Sequence, residues 1–426
     1  MRPTPIMAWM PSLSSSPFHL KLTHRFLKAH SICTNAFPLL IDREWMLPDP
    51  AAPIHRVYFS DRGAYRLSFT ADTRPAGPAG GNDNSSGPSF YIVRDDLLHP
   101  LANGNKARKL DAILPVIQRH SATDVLTCGG CQSAHAAAVA VYCAERGIRS
   151  HLLLRGEQPR IPTGYNLVSL MYGNVKYVSR SEYVQREELL IEHARALAGC
   201  DGSVVSVDKL IHSFSVPDGS STTSHGGSHV GLRRVAVVNE GAGNVLALLG
   251  FIRLVKYLSQ ANVFGENQQI TLVVDAGTGT TAVGLAMGAV CLGLPWNVKA
   301  VMLVDVIEKY KDFEKSLTAE FKKIFYAKLP ETIWDKVSHG TVNWIDRVHQ
   351  RKFGKVLPGE IDLCRQIAQE TGILLDPLYT LAAWEQAVIL SVEEAQNASR
   401  IVMLHTGGTL GLFGVAQRYA EQFYAA

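Results

Sequence analysis

Short apolar runs, each closed by a glycine turn and followed by a helical pattern, recur along the chain. "TDVLTC" (123–128) passes through Gly129 and Gly130 into the Ala-rich "QSAHAAAVAVYCAERG", which Gly147 stops, and "SHLLLR" (150–155) follows. "QITLVVDAG" (269–277) leads through a Gly/Thr loop into "TAVGLAMGAVCLG", with "NVKAVMLVD" (297–305) next, and "SRIVMLHTGG" (399–408) enters another glycine turn near the C-terminus. Uninterrupted apolar strands alternating with helices predict right-handed crossovers and parallel sheets covered on both faces, so the fold class is α/β. A chain of 426 residues exceeds one ordinary core, and two such sheets suit its length. Residues 71–89 and 215–231, rich in Gly, Pro, Ser and Asn, read as loops.

The formal charge of +4 changes this picture at one end only. Residues 1–41 hold Arg2, Lys21, Arg25 and Lys28 and no acid, which accounts for the whole excess and leaves 42–426 neutral. No basic surface is left to argue for nucleic acid. The acid-free, Ser-bearing leader has the composition of an organelle transit peptide, and residues 1–45 are set apart from the fold. With no run of 18 uninterrupted apolar residues, no membrane span is expected. Seven cysteines at scattered positions argue against a disulfide framework, and the lone CxxC, Cys128 to Cys131, lacks the second ligand pair of a zinc site, so no metal is expected.

In parallel sheets, ligands bind beyond the carboxyl ends of strands, where these glycine turns fall. "DAGTGTTAVG" (275–284) can aim backbone N–H groups and hydroxyls at an anion, yet it is neither a dinucleotide fingerprint nor a P-loop, so a small phosphorylated cofactor fits it better. "GGCQSAH" (129–135) puts Gln132, Ser133 and His135 at a helix start that can hold a carboxylate, although Ser133 would equally serve as a plain N-cap. "NGNKARKL" (103–110) places Lys106 on a tight turn before an amphipathic helix; Lys109, one helical turn further on, is expected to face elsewhere. "LLDPLYT" (374–380) presents Tyr379 on a turn, and "HTGG" (405–408) puts Thr406 at a strand end.

Taken in order with "FYIVRDDLLHPLANGNKARKL", "PTGYNLVSLMYGNVKYV" and "NEGAGNVLALLGF", these motifs resemble the pyridoxal-phosphate enzymes that include D-cysteine desulfhydrase and 1-aminocyclopropane-1-carboxylate deaminase, and most resemble the plant desulfhydrases. The resemblance runs from about residue 90 to the C-terminus. It implies a tryptophan-synthase-β-like fold (fold type II) of two three-layer α/β domains: a large cofactor-binding domain from 46–108 and 239–426, and a small domain over 109–238 carrying the 215–231 insertion. It implies pyridoxal 5'-phosphate on Lys106, with Asn105 beside it, Gly277, Thr278, Gly279, Thr280 and Thr281 around the phosphate, and Thr380 or Thr406 at the pyridine nitrogen. Gln132, Ser133 and His135 would hold the substrate, and Lys106, Ser133 and Tyr379 would be catalytic.

The implied reaction is β-elimination of D-cysteine to pyruvate, hydrogen sulfide and ammonia. A neutral threonine at the ring nitrogen, unlike an aspartate, would not keep that nitrogen protonated, and elimination would be favoured over longer-lived carbanion chemistry. The alternatives are the cyclopropane-opening deaminase, a related lyase for another amino acid, and a non-catalytic cofactor-binding protein. Two departures bear on substrate choice: Ala134 stands where the family has Asn, and Leu381-Ala382 where it commonly has Gly-Lys. A homodimer in the mitochondrial matrix, with the plastid stroma as the alternative, completes the expectation.

Overall fold

The computed structural model describes residues 38–59, 65–68, 88–210, 232–326, 329–393 and 399–424. The leader up to residue 37, most of the 71–89 segment and all of 215–231 lie outside the described residues.

Among the described residues, twelve strands form two sheets. The first strands are β1 (Ile54–Phe59), β2 (Tyr65–Ser68) and β3 (Ser89–Val93). A block of five follows: β4 (Asp124–Gly130), β5 (Arg149–Arg155), β6 (Asn174–Val178), β7 (Ser203–Ser206) and β8 (Arg234–Val237). The last are β9 (Ile270–Ala276), β10 (Trp296–Met302), β11 (Val342–Asp346) and β12 (Arg400–Leu404). The five-stranded sheet runs β6-β5-β4-β8-β7 and is parallel throughout. The seven-stranded sheet runs β11-β10-β9-β12-β3-β1-β2; it is parallel from β11 to β3 and antiparallel at the β3-β1-β2 flank. That flank departs from the expectation of purely parallel sheets, for a local reason. Parallel neighbours need a crossover, whereas β1 and β2 lie close enough in sequence to pair directly.

The apolar runs became buried strands. Every residue of β9 is buried, and so are all but the last of β4, as strands covered on both faces must be. Three helices hold the site: α1 (Asn105–Arg119), α4 (Val245–Leu258) and α5 (Thr280–Leu292), with α2 (Ala134–Ala144) and α3 (Gly164–Tyr172) against the five-stranded sheet. α4 packs against both α1 and α5. It crosses α1 so closely that a Cβ added at Gly250 would lie 1.9 Å from the Arg108 carbonyl oxygen. Only glycine permits that approach, and the approach sets how far α1 stands from the helix that opens at the Gly/Thr loop.

Buried ion pairs lock the start of α1. Arg108 donates to Asp95 through Nε (3.0 Å) and Nη2 (2.7 Å), both side chains wholly enclosed, and Nη1 donates to the Pro50 carbonyl. Arg253 on α4 donates to Asp111 on α1 (2.8 Å) and to the Leu47 carbonyl. Such pairs stabilise little against an apolar substitute of the same shape, but losing one partner strands a buried charge. Among the described residues no helix is long and apolar enough to cross a membrane.

Candidate functional site

Gly104 adopts φ 69°, a left-handed conformation, and a Cβ there would overlap the Thr406 carbonyl at 1.9 Å. The Asn105 N–H donates to that same carbonyl (3.0 Å), so the turn after β12 seats the first residue of α1. Lys106 follows, half-buried, its Nζ donating to Asn105 Oδ1 (3.0 Å) while Asn105 Nδ2 donates to Thr281 Oγ1 (3.1 Å). Two hydrogen bonds thus connect the lysine to the 275–284 loop, 176 residues from Asn105. Burial pulls the Lys106 ammonium down to about 8, against the opposing charge of Asp275.

The loop forms a cup at the N-terminus of α5. Its first turn carries no acid to compete for the helix N–H groups, and Thr278 and Thr280 bring their hydroxyls within 3.1 Å of each other. The floor is held by Tyr310, on α6 (Ile307–Phe325), whose hydroxyl donates to the Ala276 carbonyl at 2.7 Å. Side chains at the cup's glycines would fill it: a Cβ at Gly277 would lie 3.5 Å from Tyr379, and one at Gly279 3.0 Å from Trp344. A bare, acid-free helix start with hydroxyls and an amine nearby fits a small phosphorylated aldehyde such as pyridoxal phosphate.

Tyr379 is therefore brought to the cup. Asp376 orients it by accepting the Leu378 and Tyr379 N–H groups on Oδ1, both at 2.9 Å, and the ring stands edge-on to Phe353. Burial, then Asp376 and Asp275, push the phenol above its ordinary range, so it keeps its proton. Thr380 opens α7 (Thr380–Glu393) fully buried, with its hydroxyl engaged by Asp376 Oδ2 at 3.0 Å. Thr406 instead sits against the Lys106 turn, and its hydroxyl donates to Asp275 Oδ1 at 2.5 Å. Beside Tyr379, a cavity of about 350 Å³ is lined by Leu303, Val304, Arg347, Phe353 and Leu378.

The 129–135 turn divides its residues between structure and solvent. Ser133 caps α2, its oxygen accepting the Ala136 N–H at 3.2 Å, which leaves its own proton to donate. Gln132 bridges to α3, donating to the Thr163 carbonyl (3.0 Å) and accepting the Tyr165 N–H (3.1 Å). His135 is buried, with Nε2 3.0 Å from Thr127 Oγ1; burial, then Lys106 and Lys109, hold its imidazole down at about 3, and it stays neutral. Cys128 is buried as well and its thiol is pushed up to about 11, chiefly by burial.

Lys109 contradicts the expectation that it faces elsewhere. It is buried, donates to the Gly241 carbonyl (2.8 Å) and feels both Lys106 and Asp275. Residues three apart on a helix share a face, so the helix that presents Lys106 also turns Lys109 inward. Burial, then Lys106, lower its ammonium well below the usual lysine range. Sequence reasoning also passed over Asp275, Asp376 and Tyr310, whose partners lie on distant strands and turns.

No protein-family model matches the chain. It is 54% identical over 392 residues to a protein of Oryza sativa subsp. japonica provisionally named D-cysteine desulfhydrase 2, mitochondrial, covering 90% of this chain and 95% of that one. It is 24% identical over 351 residues to the bifunctional D-cysteine desulfhydrase/1-aminocyclopropane-1-carboxylate deaminase, mitochondrial, of Arabidopsis thaliana, covering 79% of this chain and 76% of the relative. In three dimensions it resembles the crystal structure of an ACC deaminase homologue, with a TM-score of 0.65 at 21% identity, over 91% of this chain and 98% of that one.

Proposed function

The chain belongs to the pyridoxal-phosphate-dependent family of D-cysteine desulfhydrases and 1-aminocyclopropane-1-carboxylate deaminases, and we propose that within it this protein is a lyase that converts D-cysteine and water to pyruvate, hydrogen sulfide and ammonia. The observation that carries the reading is the join between Lys106, through Asn105, and Thr281 of the cup, with Tyr379 over Gly277.

When bound, the cofactor supplies an electron sink for a carbanion at the substrate's α-carbon. The chain supplies the rest. Lys106 holds the cofactor and, with its proton affinity lowered to about 8, accepts and returns a proton near neutral pH. Ser133, whose oxygen is fixed by the Ala136 N–H, donates its free proton to the substrate carboxylate together with the N-terminal N–H groups of α2. Gln132 keeps α3 against that turn, and neutral His135 adds no competing charge. Tyr379, protonated and poised over the cup, donates to the departing sulfur. Gly277, Thr278, Gly279, Thr280 and Thr281 take the phosphate. The Thr380 hydroxyl both donates to Asp376 Oδ2 and accepts the Asp376 N–H, whereas the Thr406 oxygen, donating to Asp275, keeps its lone pairs, so Thr406 would face the ring nitrogen. A thiol leaves without a further nucleophile, whereas ring opening of the cyclopropane needs one placed beside it.

Side-by-side kcat/KM for D-cysteine, L-cysteine and 1-aminocyclopropane-1-carboxylate, read as sulfide and keto acid, tests the substrate. A preference for either of the latter two overturns it. Borohydride reduction and peptide mapping test the cofactor lysine; a label on Lys109 overturns the assignment. The protein works in the mitochondrial matrix, a proposal supported by the mitochondrial names of the relatives and the cationic leader, and as a homodimer, which is carried over from the family resemblance alone. Light scattering and a leader fusion to a fluorescent reporter check these two points, with a monomer or a plastid signal as the contrary results.

A further inference from the structure

Asp275 ends the apolar run of β9 as a buried carboxyl group. It accepts the Thr406 hydroxyl at 2.5 Å. Thr406 in turn is tied to the base of α1, its carbonyl accepting the Asn105 N–H. Carboxylate, hydroxyl and the lysine turn thus form one connected unit at the carboxyl ends of β9 and β12.

A hydroxyl has one proton. When that proton goes to Asp275, the remaining lone pairs of the Thr406 oxygen can only accept. An acceptor facing a pyridine nitrogen is matched by a protonated nitrogen and repelled by a bare one. We propose that Asp275 is a positioning residue which, by accepting the Thr406 hydrogen bond, holds the ring nitrogen of the bound cofactor in its protonated form. The inference rests on the reading that Thr406 meets that nitrogen. It reverses the expectation that a threonine partner leaves the nitrogen unprotonated: threonine alone lacks the charge, but Asp275 stands behind it.

The groups around Asp275 favour this role. Lys106 and the Thr406 hydroxyl stabilise its charge; burial, then Asp376, oppose it and lift the carboxyl to about 6. Lys109 on α1 and Tyr379 before α7 also face it. Above about pH 6 Asp275 is ionised and accepts from Thr406. Below that pH it carries its own proton, the direction of the chain reverses, and the Thr406 proton is released toward an unprotonated nitrogen.

The test is solid-state nitrogen NMR of the full-length holoenzyme carrying pyridoxal phosphate labelled with nitrogen-15 in the ring, above the carboxyl's titration. The wild type should give the pyridinium signal. Asp275→Leu, which removes the acceptor, and, independently, Thr406→Val should shift it to the unprotonated position while borohydride still fixes the cofactor to Lys106; Thr406→Val gives the reading if Asp275→Leu does not fold. An unprotonated wild-type nitrogen, or a pyridinium signal unchanged in the variant that folds, overturns the role of Asp275 and leaves the cofactor assignment intact. A wild type that takes up no cofactor, or carries it elsewhere than Lys106, overturns the reading beneath it as well.

Discussion

As the proposed cofactor lysine, Lys106 would capture an aldehyde only as a neutral amine, so its proton affinity would decide how readily the apoprotein loads. An ordinary lysine at 10.5 is about 0.03% neutral at pH 7, whereas an amine at about 8 is roughly a tenth neutral. Burial of Lys106 therefore raises its reactive fraction roughly 300-fold at neutral pH. The assay is the initial rate of pyridoxal phosphate capture by stripped protein, followed by absorbance between about pH 7 and about pH 10. The rate should climb about fivefold between about pH 7 and about pH 8 and no more than about twofold beyond that. Asp275, ionised in this range, favours the ammonium, so Asp275→Asn should move the midpoint downward and speed capture at neutral pH. A rate still climbing steeply at the alkaline end would show that Lys106 is solvated and refute the burial argument. A midpoint moved upward by Asp275→Asn would refute the sign of the coupling. Peptide mapping of the reduced product guards against Lys109, whose own amine is depressed as well.

Replacing Arg108 by Met leaves Asp95 buried without its partner and should cost about 3–5 kcal/mol, read from urea unfolding; adding Asp95→Leu should recover most of that loss, and simple additivity of the two single changes would refute the pairing argument. Gly250→Ala drives a methyl against the Arg108 carbonyl, so we expect a loss of about 1–3 kcal/mol and weaker cofactor retention as α1 shifts; an unchanged unfolding temperature would mean that the helices do not cross so closely. His135, held at about 3 by burial and the two lysines, should show imidazole NMR signals that stay constant between about pH 5 and about pH 8, and a transition near the ordinary histidine value would place the ring in water.

What could be read in the amino acids, and what could not, follows from how far each signal reaches. Strands buried on both faces announce themselves as unbroken apolar runs: 123–128, 150–155 and 269–277 fall on β4, β5 and β9 to within a few residues at either end. β2, next to β1 at the end of the sheet order, carries Arg66 between Tyr65 and Leu67 and is only four residues long, so the same grammar passed over it. The site divides in the same way. Lys106, Ser133, Tyr379 and Thr406 stand on turns whose local composition marks them, while Lys109 was misjudged by treating one helical turn as a change of face. Asp275 is the instructive case, because an acid closing an apolar strand looks like a simple end to the run. Its meaning lies in a hydroxyl 131 residues away, and only the pairing of β9 with β12 brings the two together. The turns of this protein display its candidate site residues, but the buried charge beside them is placed by the sheet register, which no local stretch of sequence contains.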